Sequence, residues 1–209
     1  LFNDEVNQNL ENVLNTELFS NGYIFYGPEG VGKKQTALKF IKGIFSKYSS
    51  NSKIEEKIIK NNHPDLLYIE PTHLAKGNLL KNSDSDFPKK KQGGVIRIEQ
   101  IRYIKTFLGR QSIESGKKIV LIVDSHLLNE AASNCLLKTL EEPSNGIFIL
   151  ITSKKNLLLE TIISRCQLVR FKTFSIKELE IYLEKNLDSS MFENYKKLNL
   201  RDLINAANG

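Results

Sequence analysis

Tyr23-Ile24-Phe25-Tyr26-Gly27-Pro28-Glu29-Gly30-Val31-Gly32-Lys33-Lys34 is a short apolar run that ends in a glycine-rich turn with lysine at its far end. It meets the phosphate-loop template G-x-x-x-x-G-K-[ST] everywhere but its last position: Gly27, Gly30, Gly32 and Lys33 are in place, and Lys34 stands where the hydroxyl belongs. Glycines let the backbone curl with positive φ and gather successive N–H groups into one concavity, and the helix that follows aims its positive end at the same spot. Lys33 would reach a β or γ phosphate as a point charge, and the missing Ser or Thr would hold magnesium. Thr36 cannot stand in, because two residues along a helix is about 200° of rotation. The pocket is expected to bind phosphate without holding magnesium well. The competing reading is a strand-to-helix turn that holds no ligand.

Outward from this loop the chain alternates strands and helices. Upstream, Val6, Leu10 and Val13-Leu14 recur at helical spacing over residues 4–17. Downstream, Ala37, Leu38, Phe40, Ile41 and Phe45 supply the apolar face of a helix. Lys47 to Asn62 is polar, with a Ser/Asn loop at 49–52 and a short helix hinted by Ile54, Ile58 and Ile59. His63-Pro64-Asp65 introduces a second strand, Leu66 to Ile69. Pro71 to Gly94, which carries Lys89-Lys90-Lys91, is expected to be a mobile excursion. Ile98, Ile101, Ile104 or Lys105, and Leu108 predict a helix from about Arg97 to Leu108, with Arg102 and Lys105 on its outer side.

Ile119 to Asp124 is a continuous apolar strand ending in a carboxylate, a Walker B form. A fully apolar run implies burial on both faces, hence a parallel sheet whose carboxyl edge brings Asp124 beside the phosphate loop, where it could orient magnesium through water. An active ATPase of this kind commonly carries next a glutamate that polarises the attacking water, and Ser125 stands there instead, so the base is absent. His126, one further on, could be offered as a replacement base, but just past a strand it reads rather as a helix-entry residue. Asn129 to Glu142 predicts a helix closed by Glu141-Glu142-Pro143, with Cys135 in the core. Ile147 to Thr152 is another apolar strand, and Thr152 either senses a γ phosphate from the side or simply ends the strand. Ser164-Arg165-Cys166 precedes the last strand, Gln167 to Phe171.

Five strands alternating with helices predict a three-layer α/β fold with a five-stranded parallel sheet over residues 1–172. Ser175-Ile176-Lys177-Glu178 then spells a capping box for a helix to about Leu187, and Leu200 to Ala207 predicts another. Residues 173–209 are thus expected to form a small helical lid domain, incomplete at Gly209.

The bulk composition narrows the function classes. With 209 residues, 40% of them hydrophobic, the chain can bury a full core. A net charge of +6 is compatible with nearby nucleic acid without demonstrating it. Two cysteines, Cys135 and Cys166, cannot build a zinc site alone, and His63, His73 and His126 show no ligand spacing with them. No signal peptide or bilayer-length apolar run is visible, so the reading is a cytosolic protein with no membrane partner.

The ordered set of the glycine loop, His63-Pro64-Asp65, Asp124, the stretch Asn134-Cys135-Leu136-Leu137-Lys138-Thr139-Leu140-Glu141-Glu142-Pro143 and Ser164-Arg165-Cys166 resembles the AAA+ clamp-loader subunits of bacterial DNA polymerase III. The resemblance spans nearly the whole chain, and its Leu-Leu-Lys-Thr-Leu-Glu-Glu-Pro and Ser-Arg-Cys elements are specific to clamp loaders. Within that family the altered positions Lys34 and Ser125 resemble the delta-prime class rather than the motor subunits. The resemblance implies a stationary member of the pentameric ring that loads the sliding clamp on primed DNA, with motor and delta subunits as partners and the clamp and DNA met through the assembly. It also implies that Arg165 acts in trans as an arginine finger on a neighbour's γ phosphate, while the chain itself binds ATP or ADP weakly or not at all and is not an active ATPase. Many relatives carry four cysteines before His-Pro-Asp that fold a zinc knuckle; residues 46–62 contain none, so zinc is not carried over. The family's C-terminal collar is also not contained in these 209 residues. The alternatives are a catalytically active motor ATPase of the gamma/tau kind that tolerates Lys34 and Ser125, and a DNA-binding module using Lys89 to Lys91, Arg102 and Lys105.

Overall fold

The computed structural model describes residues 3–49, 51–75, 78–81, 94–142 and 146–173. The expected lid helices and the Lys89 to Lys91 run lie outside the described residues. Among the described residues, seven strands and six α-helices follow in the order α1 (Asp4–Thr16), β1 (Gly22–Tyr26), α2 (Lys33–Tyr48), α3 (Ile54–Ile59), β2 (Leu66–Ile69), β3 (Thr72–Ala75), β4 (Asn78–Lys81), α4 (Ile98–Leu108), β5 (Lys118–Ile122), α5 (Glu130–Glu141), β6 (Gly146–Thr152), α6 (Glu160–Ile163) and β7 (Gln167–Arg170). Two 3-10 turns, Ser125–Leu127 and Lys155–Leu157, follow β5 and β6.

The main sheet has five strands in the order β2-β5-β6-β1-β7, and every pairing in it is parallel. Alternation along each strand sends successive side chains to opposite faces. Tyr23, Phe25, Ile119, Leu121, Ile147, Ile149 and Ile151 therefore meet α1, α2 and α3 through Leu10, Phe40, Ile41, Phe45 and Ile58. Ile24, Val120, Ile122, Phe148 and Leu150 face the other way, into Ile101, Ile104, Leu136 and Ile162 of α4, α5 and α6. Each fully buried side chain of this size contributes about 1.5–3 kcal/mol of transfer free energy, and the two cores fix helices on both sides of the sheet. β5 and β6 are buried along their full length, as the unbroken apolar runs required, whereas the edge strand β7 leaves Leu168 exposed.

The chain from Pro71 to Gly94, read as an excursion, carries an antiparallel hairpin of β3 and β4, with Thr72 opposite Lys81. A bridge between Thr72 and Val95 ties its base back to the body. The signal was present but quiet: two four-residue strands are separated by Lys76-Gly77, a connection of hairpin length that contains glycine.

His63-Pro64-Asp65 is explained by packing. The fully buried Asp65 carboxylate accepts from the backbone N–H groups of Ile113, Glu114 and Ser115, each at 2.8 Å, and from Ser115 Oγ at 2.9 Å. Burial alone would raise its pKa, but these donors outweigh that and hold it below the usual aspartate value. His63 stacks on Phe45 with ring centroids 4.3 Å apart, and its Nδ1 accepts from the Asp65 N–H at 3.2 Å. Its Nε2 has no hydrogen-bond partner among the described residues. Burial pushes the imidazole pKa down, opposed by Glu114 and Asp65, which keeps the ring neutral near pH 7.

Candidate functional site

Gly27, Gly30 and Gly32 hold φ of 152°, 76° and 84°, which turns the chain from β1 into α2. Gly27 is also required by space: a Cβ there would lie 2.3 Å from the Phe171 carbonyl oxygen at the end of β7. Gly32, at the α2 N-terminus, has open space where its Cβ would be. Lys33 is 8% exposed, and its Nζ donates to the carbonyls of Gly27, at 2.7 Å, and of Pro28. Burial lowers its pKa, while Glu29 and Asp124 pull it back up.

Lys34 lies over the Tyr68 ring of β2, 5.1 Å from its centroid. Thr36 lines a groove of about 360 Å³ between α1 and α2, with Asn7, Leu10 and Lys39, so its hydroxyl is on the far side of α2 as the helical rotation requires. Asp124 lies two residues past the end of β5 rather than on it, in a left-handed conformation with φ of 51°. Burial raises the Asp124 pKa; His126, Lys33 and Lys34 oppose this and Glu29 reinforces it.

Ser125 is fully buried, and its Oγ donates to the Ile151 carbonyl of β6 at 3.1 Å. Thr152 is buried too: its Oγ1 accepts from the Lys154 N–H at 3.0 Å and lies 3.3 Å from His126 Nδ1. Burial lowers the His126 pKa, with Asp124 opposing. Across the loop, Ser153 Oγ donates to Glu29 at 3.3 Å. The carboxyl ends of β1, β5 and β6 thus bring Lys33, Asp124 and Thr152 to one edge of the sheet, with Ser125 turned inward. The glycine turn and Lys33 fit a phosphate group, but position 34 supplies no magnesium ligand and position 125 no base. Among the described residues no cluster of His, Cys, Asp or Glu suits a metal ion.

Arg165 is at the other edge. It precedes β7, whose Gln167 pairs with Tyr23 at the start of β1, whereas Gly27 follows the end of β1. Four strand steps of about 3.3 Å put roughly 13 Å of β1 between the two levels. The exposed guanidinium donates to Thr161 O at 2.9 Å and to Glu141 Oε1 at 2.7 Å, with Ser164 Oγ at 3.4 Å. Cys166 packs where a side chain on Gly22 would stand, its Sγ 2.6 Å from that Cβ position, and burial pushes its thiol pKa up to about 11. It secures the α6–β7 junction to the start of β1 and is a poor nucleophile. The partners Glu141 and Gly22 were not legible as site residues; a carboxylate ending α5 within a motif was the one available signal.

Of the residues offered for DNA, Arg102 is exposed and Lys105 pairs with Glu142 at 2.5 Å, both partners about half exposed. Among the described residues no helix is long and apolar enough to cross a membrane.

Comparison with known proteins matches residues 2–175 to the family described as DNA polymerase III, delta subunit. The delta' subunit of DNA polymerase III from Bacillus subtilis (strain 168) is 30% identical over 177 residues, covering 82% of this chain and 48% of that protein. The tau subunit of the same organism is 28% identical over 207 residues, covering 99% of this chain and 34% of the relative. The chain therefore spans about half, or less, of the length of these relatives. Among solved structures, a DNA polymerase III gamma subunit-related protein from Thermotoga maritima superposes with a TM-score of 0.59 at 22% identity, covering 92% of this chain and 53% of the other. The Thermotoga maritima RuvB Holliday junction branch migration motor gives 0.51 at 16% identity, covering 88% and 49%. These two show the fold alone, an α/β domain built on a parallel sheet.

Proposed function

The chain belongs to the family described as DNA polymerase III, delta subunit, as a clamp-loader protein of the delta-prime type, and on that premise we propose that it serves an ATPase neighbour with Arg165 and does not hydrolyse ATP itself. The observation that carries this reading is the polarity of the sheet: Arg165 and the glycine loop lie at opposite ends of neighbouring parallel strands. An arginine so placed cannot reach a phosphate in its own loop, but it is exposed and can reach one presented by a neighbouring subunit. A guanidinium there would stabilise charge developing on the transferred phosphoryl group.

The state of the loop supports the second half of the reading. Lys33, Gly27, Gly30 and Gly32 would hold a nucleotide phosphate, of ATP or ADP, with Lys33 first leaving its two loop carbonyls. Bound nucleotide would supply the phosphate charge that the loop neutralises; Lys34 offers no oxygen to magnesium, and the Ser125 hydroxyl is committed to β6. In this reading Asp124 and Thr152 are remnants of a hydrolytic site, residues 1–172 form the AAA+ unit and 173–209 the lid. Motor and delta subunits are the direct partners, and the clamp and primed DNA are met through the assembly.

The test is ATP turnover by the matching assembly rebuilt with full-length protein, wild type against Arg165→Ala, with clamp and primed DNA present. The expected result is a loss of about 10³-fold at the site that Arg165 serves, with the ring intact. An unchanged rate removes the trans-acting role. Steady hydrolysis by the isolated protein, abolished by Lys33→Ala, would instead establish a motor ATPase.

A further inference from the structure

The two carboxylates that close α5 each have a cation set against them. Glu142 pairs with Lys105 of α4, and Glu141 pairs with Arg165. A carboxylate at a helix C-terminus opposes the helix dipole, so neither residue is there for the benefit of α5 alone. Glu141 is the more informative, because its partner is the arginine on which the functional reading rests.

We propose that Glu141 is a positioning residue for the Arg165 guanidinium, holding it aimed outward for a phosphate on the adjoining subunit; this rests on the trans-acting reading of Arg165. Two tethers define the plane of the group. One Nη donates to the Thr161 carbonyl in the short α6, which also accepts from Ser164 Oγ, and the other donates to Glu141 Oε1. α6 and α5 are packed together through Ile162 and Leu136 in one core, so both tethers stand on rigid elements. The carboxylate contact is made through one Nη, so the Nε–H and the second N–H of that Nη keep their donor capacity. The side chains remain 38% and 47% exposed, so the contact fixes the guanidinium without enclosing it. An arginine side chain carries large rotamer freedom, and a guanidinium already oriented loses less of it on meeting a phosphate. A partly solvated carboxylate is also a weak enough competitor for a multiply charged phosphate chain to share the donor set.

The experiment uses the full-length protein in the matching assembly, with kcat and KM for ATP measured for wild type, Glu141→Gln, Glu141→Asp, Glu142→Gln, Arg165→Ala and the double variant Glu141→Gln/Arg165→Ala. Misplacing a catalytic group by an ångström can cost up to roughly 10²-fold, and weakening the Glu141 tether by removing its charge is expected to lower kcat about tenfold. KM should stay put, because the neighbour's own pocket binds the nucleotide. Glu141→Asp, which keeps the charge, should recover most of the loss, and Glu142→Gln should match wild type. The double variant should be no slower than Arg165→Ala alone, since Glu141 acts through the arginine. If Arg165→Ala is slow while Glu141→Gln is unchanged or faster, the positioning role is wrong and the trans-acting reading stands. An equal fall from Glu141→Gln with and without Arg165 also overturns it, since the effect then bypasses the arginine. If Arg165→Ala itself is unchanged, the underlying reading has failed.

Discussion

Asp65→Asn isolates what His-Pro-Asp contributes. The native carboxylate takes four hydrogen bonds, Oδ1 from the Ile113 N–H and Oδ2 from Glu114 N–H, Ser115 N–H and Ser115 Oγ. An asparagine keeps one acceptor oxygen. With that oxygen on the Glu114 and Ser115 side, its NH₂ meets the Ile113 N–H donor against donor, leaving a buried donor unpaired at about 1–3 kcal/mol. The three bonds that remain lose their charge assistance, roughly 0.5 kcal/mol each. The total is about 3 kcal/mol, equivalent to a Tm drop of about 6–12 °C for a domain of this size. Urea unfolding followed by far-ultraviolet circular dichroism measures it. The acid dependence has a definite sign. Because the folded-state pKa of Asp65 is depressed, its contribution is fully present above the unfolded value of roughly 3.9 and is lost as pH falls through the lower folded value. The gap between wild type and variant should therefore be largest near neutrality and close in acid. A gap below about 0.5 kcal/mol at pH 7, or one that does not narrow in acid, would refute the account of the motif as a loop staple.

Two further predictions concern the sheet edges. Ser125→Glu should destabilise the protein by about 3 kcal/mol or more, since a carboxylate would replace a fully buried hydroxyl that faces the Ile151 carbonyl; a stable variant that releases phosphate from ATP would contradict both the packing account and the non-hydrolysing reading. Gly22→Ala should cost about 1–3 kcal/mol by driving a methyl group into Cys166 Sγ, and Gly22→Ala/Cys166→Ala should recover most of that in the same urea assay. Equal instability of the single and double variants would rule out the close approach as the cause.

The architecture was legible because it depended on one-dimensional patterns. Ile119 to Val123 and Ile147 to Ile151 are unbroken apolar runs, and only a central parallel strand buries such a run on both faces. The glycine loop was legible because positive φ restricts residue choice. The β3–β4 hairpin was missed since four-residue strands leave too few alternations to separate a strand from polar loop. The contacts of the candidate site were less legible still. Glu141 and Arg165 are 24 residues apart and meet only because α5 and α6 share a core, and Gly22 meets Cys166 only through the register of β1 on β7. Such juxtapositions are set by tertiary packing, and no local pattern encodes them.

Lys34, Ser125 and Thr152, two of which depart from the hydrolytic pattern and one of which keeps it, each make a contact inside the fold, which bears on how a hydrolytic site could be rebuilt. Lys34 covers the Tyr68 ring, and Ser125 supplies a hydrogen bond to β6 from a site with no access to solvent. Thr152 caps the chain at Lys154 and lies against His126. Replacing one residue with its hydrolytic counterpart therefore removes a packing or hydrogen-bonding contact before it adds a catalytic group. Arg165 differs in kind: its main-chain contact is Thr161 of the preceding short helix, its ion-pair partner Glu141 is exposed, and Cys166 beside it anchors the backbone. A rigidly mounted, exposed arginine at the edge opposite the glycine loop has no phosphate within its own subunit to act on. On the proposed reading the chemistry that uses it comes from a second chain, and the asymmetry behind that proposal follows from the direction of β1 and β7 rather than from any single residue.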